Sequence, residues 1–287
     1  MNLLGIYEKA LPNDITWLER LTLAKDLGFD FVEMSIDETD IRLSRLDWSK
    51  EERKEIVDAI FTTGVKIQSI CLSGHRRYPL GSKDSHIREE ALTIMQKAID
   101  LASDIGVRVI QLAGYDVYYE EKTVETRNYY VENMKKCLAM AAAKQITLAI
   151  EIMDDPFINS ISKYCKFKEK IPSSWLQVYP DIGNLSAWAE NDVGYELEMG
   201  MPEIAGIHLK DTLAVSDQSP GKFKEVPFGE GCVDFKGCLK TLKANNYSGP
   251  FLIEMWSEKS NQPKEEIKKA LTFLLPILKE AGYEFAR

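Results

Sequence analysis

The chain has 287 residues, 45% of them hydrophobic and 28% charged, with 36 basic against 45 acidic side chains and a formal net charge of −9. That is the composition of an ordinary globular protein, long enough for a large core. The acidic balance argues against a nucleic acid as main partner, since phosphate backbones demand basic surface, though a local basic patch can still hold one small phosphate. The cysteines Cys71, Cys137, Cys165, Cys232 and Cys238 are odd in number and form no CxxC pair, so reduced thiols in a cytoplasmic protein are expected. No signal peptide or membrane span is expected, because no basic start precedes a long apolar run.

The elements alternate along the chain. Leu3–Tyr7 reads as a strand. A helix follows with Trp17, Leu18, Leu21, Ala24 and Leu27 on one face, and Gly28 stops it. Phe29–Ser35 is the second strand and carries Glu33. Ser49 caps the next helix, Gly64 ends it, and Lys66–Leu72 is the third strand. A basic loop, Ser73-Gly-His75-Arg76-Arg77, comes next. Ala91, Ile94, Met95, Ala98, Leu101, Ala102 and Ile105 then mark a long helix closed by Gly106. Val107–Ala113 is the fourth strand, and a helix runs from about Glu125 to Ala143. The fifth strand ends on Glu151. A short helix is expected at Ile161–Lys168, then a sixth strand at Leu176–Tyr179 leading to Asp181. A helix near Tyr195–Met199 precedes the seventh strand, Ile204–His208. The polar stretch Lys210–Pro227 reads as a long functional or disordered loop. Asp234 caps a helix through Leu239 and Leu242. Gly249-Pro250 opens the eighth strand, with Glu254. The last helix turns Ile267, Ala270, Leu271, Leu274 and Leu278 inward, and Pro276 is expected to kink or break it.

Eight strands alternating with eight helices imply parallel strands with crossover helices, and at this length a closed (β/α)₈ barrel in a single domain, 1–287. No GxGxxG follows the first strand, so a dinucleotide fold has little support. In such a barrel the active site lies at the C-terminal ends of the strands. Glu151, Asp181, His208 and Glu254 all fall there, on four successive strands. Three carboxylates and one imidazole suit Mn²⁺, Co²⁺, Mg²⁺ or Zn²⁺ and do not choose among them. Taken singly, each acid is as readily a helix cap or ion-pair partner, and His208 a satisfied buried histidine.

Several strings carry a family resemblance. Tyr179-Pro-Asp181-Ile-Gly-Asn184, Ile207-His208-Leu-Lys-Asp211 and Ile253-Glu254-Met-Trp resemble the xylose-isomerase-like TIM barrels. Leu4-Gly-Ile-Tyr-Glu-Lys-Ala-Leu, Phe29-Asp-Phe-Val-Glu-Met-Ser, Ser44-Arg-Leu-Asp-Trp-Ser, Val109-Ile-Gln-Leu-Ala-Gly-Tyr-Asp-Val-Tyr-Tyr and Val226-Pro-Phe-Gly-Glu-Gly are similar to the bacterial L-ribulose-5-phosphate 3-epimerases, over nearly the whole chain. The resemblance implies one divalent metal (Zn, Mn or Co) on Glu151, Asp181, His208 and Glu254. It also implies a ketopentose 5-phosphate substrate, a cytoplasmic homodimer, and a role in L-ascorbate or related pentose catabolism. Leu213–Ser219 looks like an insertion relative to the family pattern.

The implied reaction inverts C3 through a cis-enediolate, and inversion favours one acid/base group on each face. Glu151 and Glu254, from the fifth and eighth strands, are assigned that pair. His75, Arg76 and Arg77 are the first candidates for the phosphate, with a solvated basic loop as the alternative. Ser73, Lys83, Lys222 and Lys224 are further candidates. Asn184 suits a sugar hydroxyl. Glu33 suits the substrate or a place behind a ligand. Asp211 stands behind a ligand or caps a loop. Tyr7 and Trp256 form an apolar wall or belong to the core. Competing readings are a ketose isomerase or inosose-type dehydratase on the same metal site, an apurinic endonuclease, for which three histidines are too few, and a sugar-phosphate sensor.

Overall fold

The computed structural model describes residues 2–285. Eight parallel strands form one sheet: β1 Leu4–Tyr7, β2 Phe31–Ser35, β3 Lys66–Cys71, β4 Val109–Ala113, β5 Thr147–Glu151, β6 Leu176–Tyr179, β7 Ile207–Leu209 and β8 Phe251–Ile253. Strand neighbours run β6-β5-β4-β3-β2-β1-β8-β7. The two ends meet at a short seam, where Ala205 N–H donates to Val178 O and His208 N–H to Pro180 O, each at 2.9 Å. The sheet is therefore a barrel, as the alternation implies.

One main helix follows each strand: α1 Trp17–Asp26, α2 Lys50–Thr63, α3 Ser85–Ile105, α4 Val124–Ala143, α5 Ile161–Lys168, α6 Val193–Gly200, α7 Phe235–Ala244 and α8 Pro263–Glu280. Thr16 and Ser49 close reciprocal capping boxes with Glu19 and Glu52, which satisfies the first free N–H groups of α1 and α2. The strands read as continuous apolar runs because helices cover their outer face and side chains fill the barrel. Inside, Tyr7, Phe31, Cys71 and Leu252 form a small cluster. Gly5 is required there, since a Cβ would lie 2.2 Å from the Phe31 ring.

Two expectations are corrected. Pro276 lies inside α8 and does not break it, since the helix continues to Glu280. Ile267, Ala270, Leu271, Leu274 and Leu278 are buried along it, and that packing outweighs one lost backbone hydrogen bond. The stretch after Lys210 is also not a free loop. Leu213 and Lys222 exchange backbone hydrogen bonds at 2.9 and 3.1 Å, and Ser216 pairs with Ser219. The apparent insertion Leu213–Ser219 is thus an arm and turn of a two-stranded ribbon, and Val215 N–H ties it to Ala187 O at 2.7 Å.

A buried ion network braces the mouth of the barrel beside β1. Glu8 is 1% exposed. Arg45 donates to both its oxygens at 2.7 Å, and Arg20 and Arg42 lie 3.7 and 3.8 Å away. Arg42 also pairs with Asp37 and Glu258, and Asp37 with Lys9. The loops after β1, β2 and β8 are locked together by these contacts. Burial opposes the Glu8 charge, but the three guanidiniums overcome it and hold the carboxyl below its ordinary range. Its contribution is therefore present above that range and lost as the pH falls through the lowered value. Glu8→Ala leaves three buried cations short of their partner. It is expected to cost about 3–5 kcal/mol in urea denaturation at neutral pH, with a smaller deficit when the titration is repeated in acid.

Candidate metal centre

Glu151 ends β5, and Glu254 immediately follows β8. Asp181 lies just beyond β6 and caps the short helix Ile182–Ser186, its Oδ1 accepting the Asn184 N–H at 2.8 Å. His208 is the central residue of β7. One ligand atom from each of the four lies within 4.8 Å of all the others. Asp181 and His208 are fully buried, and Glu151 and Glu254 are 5% and 6% exposed. Such a concentration of carboxylates away from water demands a cation.

Two buried oxygens show where that cation belongs. Asp181 Oδ2 and Glu254 Oε2 are buried and turned to the cage, and the Lys210 ammonium stands against both, at 2.7 and 3.0 Å. His208 Nδ1 lies 4.0 and 3.9 Å from them and 3.3 Å from Glu151 Oε1. The other ring nitrogen, Nε2, lies 3.1 Å from Glu33 Oε1. Glu33 is itself held by Ser69, whose hydroxyl donates to Oε2 at 2.6 Å. The β2–β3 register shifts between Val32 and Glu33, and such a bulge re-aims a side chain. With Nε2–H given to Glu33, Nδ1 is the ring atom turned to the cage, where a bound ion would take its lone pair in place of the proton that the surrounding acids favour. The donor set, three carboxylates and an imidazole, fits a divalent ion and does not distinguish Zn²⁺, Mn²⁺ and Co²⁺.

The acid groups are driven apart. Burial, and then the Glu254 charge, raise Glu151 above the ordinary carboxyl range. Burial also raises Asp181 to about 7, against the pull of Lys210. Glu254 moves the other way, because Lys210 and His208 outweigh its burial. Cys71 lines the cleft, but burial and the charges of Glu33, Glu151 and Glu254 push its thiol up. It stays protonated beside the cage.

The structure sorts the other sequence candidates. Arg76, Ser73, Asn184, Lys224, Tyr7 and Trp256 line the cleft over the cage. Tyr7 and Trp256 meet edge to face at 6.0 Å, so they are wall as well as core. Asn184 donates its amide to Ile152 O at 2.8 Å, and its Oδ1 is buried without a partner. His75 and Arg77 lie outside the cleft lining, contrary to expectation. His75 Nε2 meets Ala91 O at 3.0 Å, and burial lowers the ring to about 4, which keeps it neutral. Arg77 is exposed and paired with Asp40 at 2.7 Å. Lys83 pairs with Glu121, and Lys222 donates to Glu225 O. Glu33 backs His208 instead of lining the cleft. Asp211 is a loop cap: its carboxylate accepts from the N–H groups of Thr212, Gly229, Gly231 and Val233. Gly231 is needed beside it, as a Cβ would lie 2.0 Å from Asp211 Oδ1.

Four groups escaped the sequence reading. Lys210 reaches Asp181 Oδ2 at 2.7 Å and Glu254 Oε2 at 3.0 Å. Its signal was present, since residues two apart on a strand share a face and Lys210 is two beyond His208. Gln111, across β4–β5, donates to Glu151. Lys9 lines the cleft while paired with Asp37. Tyr115 donates to Asp154 on the same rim. Nothing local in the sequence singles out these last three.

Residues 21–277 match the family model of the xylose isomerase-like TIM barrel. The chain is 58% identical over 280 residues to the putative L-ribulose-5-phosphate 3-epimerase SgbU of Escherichia coli (strain K12), covering 98% of each. It is 56% identical over 279 residues to the L-ribulose-5-phosphate 3-epimerase UlaE of Shigella boydii serotype 18, covering 97% of this chain and 96% of that one. Among solved structures, an L-ribulose 3-epimerase superposes with a TM-score of 0.74 at 21% identity, over 98% of this chain and 96% of its own. That last likeness concerns the fold.

Glu33→Gln removes the carboxylate that fixes the His208 ring. Metal affinity, measured by competition with a chelating dye, is expected to fall roughly 10- to 100-fold. An unchanged affinity would show that His208 does not need this support.

Proposed function

We propose, for a chain that belongs to the xylose isomerase-like TIM barrel family and within it to the L-ribulose-5-phosphate 3-epimerases, that Glu151, Asp181, His208 and Glu254 are the metal centre at which this epimerase works. The activity interconverts L-xylulose 5-phosphate and L-ribulose 5-phosphate by inverting C3. The observation that carries the reading is the convergence of four ligand atoms within 4.8 Å, on the strand ends where barrel enzymes hold their sites.

The C3 proton is acidic because C2 is a carbonyl, and its loss gives a cis-enediolate. A divalent ion in the cage would supply Lewis-acid stabilisation for the negative charge that develops on the substrate oxygens. The proton chemistry falls to the chain. Glu151 and Glu254 reach the cleft from β5 and β8 and flank the substrate. Inversion needs a base on one face and an acid on the other, and this pair supplies one carboxyl group to each. Reversing the reaction exchanges the roles. Gln111 fixes the Glu151 carboxyl. Tyr7 and Trp256 shield the cleft from water, and Asn184 Oδ1 is free to accept a sugar hydroxyl.

Arg76 takes the phosphate. Its guanidinium stacks 5.6 Å over Tyr115 and 5.1 Å over Tyr118, its Nε has no hydrogen-bond partner, and it lines the cleft beside Ser73. No carboxylate pairs with it among the described residues, so its charge is available to an anion. With this function go the homodimer, the cytoplasm and the catabolism of L-ascorbate or related pentoses, all carried by the family resemblance. No helix of the described residues is long and apolar enough to cross a membrane.

Incubation of the metal-loaded protein with L-ribulose 5-phosphate in D₂O is expected to place deuterium at C3 and to yield L-xylulose 5-phosphate, both abolished by chelator. Glu254→Gln should lower turnover about 10²- to 10⁴-fold. A sensor would tolerate that change, and deuterium at C1 would mark an aldose–ketose isomerase. Arg76→Met should raise KM for the 5-phosphate about 10- to 100-fold while leaving turnover of free L-ribulose unchanged. An equal loss on both sugars would remove the phosphate role.

A further inference from the structure

Lys210 takes no proton and binds no phosphate in the account above, yet it is the cation nearest the cage. It is 5% exposed. Its Nζ lies 2.7 Å from Asp181 Oδ2 and 3.0 Å from Glu254 Oε2. Those two oxygens are buried and take no other hydrogen bond among the described residues, and they face the cage that a divalent ion would occupy. Glu151 joins them at His208 Nδ1, and Glu33 adds a further carboxylate at Nε2 on the other side of the ring. Carboxylates this close repel one another unless a positive charge stands between them.

We propose that Lys210 is the built-in counter-cation of the cage. It pairs with Asp181 and Glu254 until a divalent ion claims their oxygens. The cage can then fold before metal arrives, and the affinity for metal is lower than the four ligands alone would give. The inference rests on the metal reading of the cage. A displaced ammonium has somewhere to go. The Lys210 side chain also lines an adjoining cavity of about 460 Å³, whose wall carries Glu225, Glu230 and Glu266. Withdrawal into it keeps the charge in acidic company, where a buried and unpaired ammonium would be costly.

The test uses the full chain with Lys210→Met and Lys210→Arg, stripped of metal by chelator and titrated with Mn²⁺ against an indicator dye. Melting curves are recorded with and without Mn²⁺. K210M is expected to bind Mn²⁺ at least about tenfold more tightly than the wild type, because a competing charge at contact distance is gone. Its stripped form should melt lower than stripped wild type, and K210R should stay near wild type in both. Equal or weaker binding by K210M overturns the proposal. A K210M chain that folds only when Mn²⁺ is added supports it. One that fails to fold even with Mn²⁺ overturns it, since the ion then does not replace the ammonium. A wild-type chain that takes up no divalent ion removes the metal reading itself, and this proposal with it.

Discussion

The structure depends on concentrated negative charge held out of water. Four carboxylates, those of Glu33, Glu151, Asp181 and Glu254, surround one imidazole at the mouth of the barrel. Left alone, such a group would protonate or pull apart. Here each acid is fixed by a different neighbour: Ser69 holds Glu33, Gln111 holds Glu151, the Asn184 backbone N–H holds Asp181, and Lys210 stands beside Glu254. Each contact leaves at least one carboxylate edge facing the centre. The site is preorganised by the barrel wall, so the chemistry does not have to assemble it.

The same division of labour explains why the mouth contains so many ions that do no chemistry. Glu8, with its three arginines, sits on the β1 side, opposite the β5–β6 rim, and ties together loops that would otherwise be free to move apart. Asp211 does the equivalent on the β7 side, gathering four backbone N–H groups into a fixed turn. Loops above barrel strands carry function because a rigid scaffold positions them. In this chain part of the scaffold is electrostatic.

The fold was largely legible in the sequence because strand and helix periods alternate cleanly and Gly28, Gly64 and Gly106 end their helices with positive φ. The four cage residues were legible for the same reason: each stands at or near the end of an apolar strand. What the sequence hid was tertiary. His75 and Arg77 look like their neighbour Arg76, but the turn after β3 sends them to Ala91 and Asp40, and only packing decides that. For Asp211 the sequence left open a place behind a metal ligand or a loop cap, and four backbone groups from residues 212–233 decide for the cap. Pro276 obeyed a local rule that a long buried helix face overrides. Asp181 was both things its pattern allowed, a helix cap through one oxygen and a cation's partner through the other.

The seam between β6 and β7 has a mechanical meaning. Every other pair of neighbouring strands is joined by a ladder of at least three paired residues, while this pair shares only isolated backbone links. A hoop opens first where its joint is shortest. Asp181 and His208 face each other across that joint. An ion gripped by both would act as a rivet, closing the circumference from the inside. Loss of the ion would then loosen the wall of the barrel at that joint.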